Sequence, residues 1–146
     1  MTQYLLTVDG SENSKRALLF YVAHLMKDND KLTMLHIEHH VKTSILDPLG
    51  DNLDKITNIQ EKEESNQLKN YFTKECEKLI KKNIVWEFKI VRGDDTGKTI
   101  LNFIEIVPID CIIAGSRGLN KLQRLVLGSV SNFLLHNSNK PVIVVP

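Results

Sequence analysis

Asp110-Cys111-Ile112-Ile113-Ala114 is a short aliphatic run that passes directly into Gly115-Ser116-Arg117-Gly118, and nine residues later the chain reads Gly128-Ser129-Val130-Ser131. Such a run suits burial on both faces, as in a strand of a parallel sheet. The glycines allow positive φ and a close approach of backbone to a ligand. Ser129 and Ser131 stand where a helix begins, and the unpaired N–H groups of a helix start favour an anion. Strand, glycine loop and helix start together read as a cradle for a phosphate chain. The charge distribution agrees. From Cys111 to Pro146 the chain carries four basic residues, Arg117, Lys121, Arg124 and Lys140, and no Asp or Glu, whereas residues 1–110 hold 15 basic and 18 acidic groups.

Working outward, four more runs of the same kind appear: Tyr4 to Val8, Leu32 to Ile37, Ile84 to Val91 and Pro141 to Val145. Segments of helical period separate them, which is the mark of β-α-β units. Ser11 or Ser14 can cap a first helix with Ala17, Leu18, Tyr21, Val22 and Leu25 on one face, closed by Asp28-Asn29-Asp30. His39 to Lys55 is polar and, around Asp47-Pro48-Leu49-Gly50-Asp51-Asn52, reads as a loop. A long helix follows with Leu68, Phe72, Cys76 and Leu79 in one stripe. A third runs from about Thr96 to Val107, burying Ile100, Phe103 or Ile104, and Val107, and ends before Pro108. The fourth begins near Gly128 and buries Val130, Phe133 and Leu134.

These elements give an α/β class: one open five-stranded parallel sheet with helices on both faces. At 146 residues, 42% hydrophobic and 25% charged, a single domain over 1–146 is expected. No apolar run approaches the roughly 20 residues of a membrane helix, and no secretory signal is visible, so a cytoplasmic location is expected. Cys76 and Cys111 fall in apolar patterns and read as buried thiols.

Right-handed crossovers constrain such a sheet, and ligands bind beyond the carboxyl ends of its strands where the winding reverses. In the order 3-2-1-4-5 that point lies between the first and fourth strands. Thr7 and Val8 lead there into Asp9-Gly10-Ser11, opposite Gly115-Ser116-Arg117-Gly118. Asp9 could accept from ribose hydroxyls, the glycine and serine array could hold phosphates, and an adenine would lie against Ile37 at the end of the second strand.

On these residues the chain resembles the universal stress protein family, of the ATP-binding kind. The likeness runs from Leu5-Leu6-Thr7-Val8-Asp9-Gly10-Ser11 through Leu35-His36-Ile37 and the Gly115 loop to Gly128-Ser129-Val130-Ser131 and Pro141-Val142-Ile143-Val144-Val145. Its signature is the spacing Gly, two residues, Gly, nine residues, Gly-Ser. The resemblance implies a Rossmann-like fold of the adenine nucleotide alpha hydrolase kind. It implies that Asp9 binds ribose or supports a magnesium ion, that Ile37 and its neighbours receive adenine, and that Ala114, Gly115 and Gly118 line the nucleotide. Gly128, Ser129, Val130 and Ser131 would hold the phosphates of ATP, which would arrive with Mg²⁺, and Arg117, Lys121 and Arg124 are either phosphate partners or a solvated basic loop. A homodimer is also implied, its last strands, Pro141 to Val145, pairing antiparallel. Ala114 departs from the family, where a larger aliphatic residue is common.

Gly93-Asp94-Asp95-Thr96-Gly97-Lys98-Thr99 imitates a phosphate loop. It has three residues between its glycines where the motif needs four, and two of them are acidic. A turn with Thr96 as helix cap is the better reading, and a degenerate nucleotide contact is the alternative. His36, Glu38, His39 and His40 could suggest a metal, but in an extended segment His36 and Glu38 face one way and His39 the other, so strand-end histidines are expected. Glu61-Lys62-Glu63-Glu64 reads as a solvated helix face.

No nucleophile stands at motif spacing from a base, and the crevice shows no pair of catalytic carboxylates. The function expected is an ATP-binding regulatory protein of the stress response, switching a regulatory partner by differential affinity for two states. The alternatives are an ATP-using enzyme on the same sheet and a dimeric interaction module that binds no nucleotide. Nucleic-acid binding is not expected at a net charge of +1.

Overall fold

The computed structural model describes residues 1–39, 50–116 and 127–146. Among these, five parallel strands form one sheet: β1 (Gln3–Thr7), β2 (Lys31–Glu38), β3 (Val85–Arg92), β4 (Cys111–Gly115) and β5 (Val142–Val145). Their order is β3-β2-β1-β4-β5, with every pair parallel, as the sequence led one to expect. The helices are α1 (Glu12–Phe20), α2 (Gly50–Leu79), α3 (Thr96–Ile106) and α4 (Ser129–Asn137).

The alternation of side chains along each strand divides the core in two. Leu6, Val8, Leu32, Met34 and Ile113 face the side covered by α1 and α2, where Ala17, Leu18, Phe72 and Cys76 close over them. Leu5, Leu35, Ile37, Ile112 and Ala114 face the other side and meet Ile100 and Ile104 of α3 and Leu134 of α4. Leu5 and Leu6, adjacent in the chain, are both fully buried, one in each core. This two-sided burial explains why the strands read as unbroken apolar runs. Both cysteines are buried; burial pushes the Cys76 thiol up to about 12 and the Cys111 thiol in the same direction. Among the described residues no helix is long and apolar enough to cross a membrane.

Three local expectations change. The first helix passes after Phe20 into a π-helical turn, Tyr21–Leu25, closed by Met26 N–H to the Tyr21 carbonyl at 2.9 Å. The wide turn keeps Tyr21 fully buried, its ring edge-on to Tyr4 at 5.2 Å. The second change is that α2 already includes Gly50-Asp51-Asn52, which are helical and not loop; residues 47–49 and His40 lie outside the described residues. The apolar stripe that marks the helix, Leu68, Phe72, Cys76 and Leu79, does not continue above Ser65, where Ile56 and Ile59 are exposed. Thirdly, the cap of α3 is Asp95, whose Oδ1 accepts from Lys98 N–H at 3.0 Å; Thr96 is the first helical residue. A carboxylate beside the positive end of the helix dipole is the stronger acceptor.

Candidate functional site

Because all five strands are parallel, their carboxyl ends gather on one side of the molecule, and β1 sits between β2 and β4, where the winding reverses. There a cleft of about 310 Å³ opens, lined by Thr7, Val8 and Asp9 after β1, Leu35, His36, Ile37 and His39 at the end of β2, and Ala114 and Gly115 on β4. Ser11 and Ser14 of the α1 start, Thr96 and Ile100 of α3, and Gly128, Ser129, Val130 and Ser131 of the α4 start complete it. Ten of the twelve expected residues are thus brought together. The other two, Arg117 and Gly118, lie outside the described residues, as do Lys121 and Arg124.

The Asp9 side is a closed hydrogen-bonded turn. Oδ1 of Asp9 accepts from the Ser11 N–H at 2.9 Å and from the Ser11 hydroxyl. Ser11 in turn caps α1, accepting from Ser14 N–H at 3.3 Å, while the Ser14 hydroxyl donates to the Asp9 carbonyl at 2.6 Å. The carboxylate is held by its own loop at the mouth of the cleft.

The facing side differs. The N-cap of α4 is Gly128, so no side chain caps this helix. Its first intrahelical bond runs from Asn132 N–H to the Gly128 carbonyl at 2.9 Å, and the N–H groups of Ser129, Val130 and Ser131 precede it without an intrahelical acceptor. The Ser131 hydroxyl donates to the Gly128 carbonyl at 3.0 Å, so its proton is used within the helix. Three helix starts therefore border the cleft: α1 capped by Ser11, α3 capped by Asp95, and α4 with no side-chain cap.

At the end of β2, where Ile37 was expected, His36 and His39 also line the cleft. His36 Nδ1 donates to the Val8 carbonyl at 2.9 Å, tying β2 to the loop that carries Asp9. His39 Nε2 lies 3.1 Å from the Thr96 hydroxyl, joining β2 to α3. Glu38, on the same side as His36, is buried and accepts from Arg92 Nε at 2.8 Å; this bond holds its carboxyl below the ordinary range. Each histidine thus has a structural partner, and among the described residues no group of three or more His, Cys, Asp or Glu side chains is placed to hold a metal. His36 was signalled by its place beside Ile37 and Thr96 by its place in the Gly93 to Thr99 segment; Ile100 had no signal, because it reaches the cleft through the crossover geometry.

The model of the universal stress protein family matches residues 1–146. The chain is 32% identical to universal stress protein YxiE of Bacillus subtilis, over 97% of this chain and 96% of that protein. It is similar to the solved structure of protein MJ0577, with a TM-score of 0.80 and 26% identity over 99% of this chain and 94% of that one; that protein, from Methanocaldococcus jannaschii, is named a universal stress protein. A universal stress protein family member from Arabidopsis thaliana, solved with AMP bound, shares the fold at a TM-score of 0.67 and 20% identity, over 99% of this chain and 91% of that one.

Proposed function

Because the chain belongs to the universal stress protein family, we propose that it binds an adenine nucleotide, ATP in the first instance, in the cleft between Asp9 and α4, and acts as a regulatory protein. One observation carries the reading: of the three helix starts around the cleft, α4 alone has no side-chain cap, and its leading N–H groups lie beside the glycine-bearing end of β4. An anion completes such a helix start as a cap would. The apolar floor supplied by Ile37 and Ala114, both buried, suits a base, and Asp9 suits a ribose hydroxyl. The volume falls in the range of about 300–1,000 Å³ usual for small-molecule sites. The relative from Arabidopsis thaliana, which holds AMP, supports an adenine nucleotide as the class of ligand.

Asp9 is the single carboxylate lining the cleft among the described residues, and its Oδ1 already serves Ser11. That donor set fits a magnesium ion carried in on the phosphates and keeping most of its waters, not one held by a protein cage. The metal would neutralise phosphate charge; Asp9 would orient it.

The homodimer is part of the same reading. Of the two sheet edges, β3 carries Glu87, Lys89 and Arg92, charges that guard an edge against pairing. β5, Val142–Val145, carries none and is the edge suited to a second copy. Nucleotide bound better by one state of the cleft's loops than another would then shift the dimer's affinity for a partner.

Titration calorimetry with ATP, AMP and adenosine, alongside light scattering of the eluting protein, tests this. Binding that strengthens from adenosine to ATP, in a particle of twice the chain mass, is expected. No heat with any of the three would remove the nucleotide reading.

A further inference from the structure

The sequence Gly93 to Thr99 imitates a phosphate loop and lies at the edge of the cleft, where only Thr96 of it lines the wall. Its second glycine, Gly97, has a different use. Gly97 is the second residue of α3 and is buried. No described glycine has a positive φ, so its backbone is one that any residue adopts. On helix propensity alone alanine would be preferred here. What forbids a side chain is Phe133 of α4: a Cβ on Gly97 would run into ring atom Cδ1 and would stand 2.9 Å from Cε1 and 3.0 Å from Cγ. Turning the ring about χ2 leaves Cγ where it is, so relief requires a new χ1 or a shift of the helix. Phe133 is half-buried, and a new χ1 would give up the contact its ring makes with α3 at Gly97.

Phe133 lies one turn into α4, four residues after Ser129, and helical side chains lean back over the preceding turn. Its ring thus braces the turn whose N–H groups open on the cleft. Resting on the nucleotide reading above, we infer that Gly97 is a positioning residue for phosphate: by admitting the Phe133 ring it sets the depth at which the uncapped start of α4 sits against the cleft.

The test measures ATP and adenosine affinities by calorimetry in the wild type, Gly97→Ala, Phe133→Trp and the double variant Gly97→Ala/Phe133→Leu. Gly97→Ala is expected to lower ATP affinity about tenfold, the size of a helix-start contact to an anion, with adenosine affinity changed by less than about twofold. Phe133→Leu added to it is expected to restore most of the loss. Phe133→Trp crowds the same seat from the other side and leaves α3 untouched; it is expected to lower the ratio of ATP to adenosine affinity in the same direction, and it serves if Gly97→Ala does not fold. A wild type that binds ATP no better than adenosine would overturn the phosphate reading and this inference with it. A wild type that prefers ATP, with the preference intact in both single variants or unrestored in the double variant, would overturn the inference alone.

Discussion

Gly115 at the end of β4 rests directly on the main chain of Asn13 in the first turn of α1: a Cβ there would lie 2.6 Å from both the carbonyl carbon and the carbonyl oxygen of Asn13. The obstacle is backbone, which no rotamer change removes. Gly115→Ala is therefore expected to lift the start of α1 and cost about 1–3 kcal/mol of stability, the range for overpacking a close contact. Urea denaturation measures the cost, and hydrogen exchange locates it in the first turn of α1. A stability within experimental error of the wild type would mean that the two segments part freely.

Gly128→Asp separates folding from binding at α4. The N-cap backbone is extended, with φ −61° and ψ 154°, a conformation that aspartate adopts readily. The new carboxylate would cap the helix and complement its dipole, leaving stability unchanged or raised by about a few tenths of a kcal/mol. The same charge occupies the place proposed for phosphate, so ATP affinity should fall by about tenfold or more. Calorimetry and thermal melts on one preparation give both values. Undiminished ATP binding would place the phosphates elsewhere.

The ion pair of Glu38 and Arg92 is asymmetric, with the carboxylate side chain 8% exposed and the guanidinium 63% exposed. Arg92→Ala takes the main partner from a buried carboxylate and should cost about 2 kcal/mol. Glu38→Gln releases an arginine that water already reaches and should cost about 1 kcal/mol. The pH dependence follows from the lowered pKa of Glu38. A carboxyl held below its ordinary value of 4.5 contributes stability that is present above that value and is lost as pH falls through the folded pKa. In Arg92→Ala the largest lowering influence is gone, and burial, which raises the pKa, stands against the smaller lowering by Ser65 and His36, so the contribution of this group shrinks. Denaturation midpoints between about pH 6 and pH 3 should show the wild type losing more stability than Arg92→Ala on acidification. Parallel pH profiles would refute the pairing.

The strands were legible because both faces of the sheet are covered: Cys111-Ile112-Ile113-Ala114 needs no polar face, so its burial is written into every residue. The place of the cleft was legible because strand order and crossover hand leave one switch point, and Asp9 and Gly128 lie at it whatever the details of the loops. What escaped reading depends on contacts between segments. Thr96 and Asp95 are both good caps by type, and only the path of the chain leaving β3 selects Asp95. His36 donates to the Val8 carbonyl across the register of β1 and β2, which no spacing along the chain encodes. The helical state of Gly50-Asp51-Asn52 was hidden because Gly, Asp and Asn are turn residues by type, and Ile56 and Ile59 beyond them stay exposed, without the core contacts that mark the rest of α2.

β1, the first strand in the chain, lies at the centre of the sheet and meets β4 across a separation of 107 residues. During synthesis its inner edge must therefore wait, paired on one side by β2 alone, until more than two thirds of these residues have been made. Parallel pairings of such range form late and slowly. The cleft, which needs β1, β4 and α4 together, accordingly exists only after α4 has been made, and a nascent chain has no means of holding a ligand there before then.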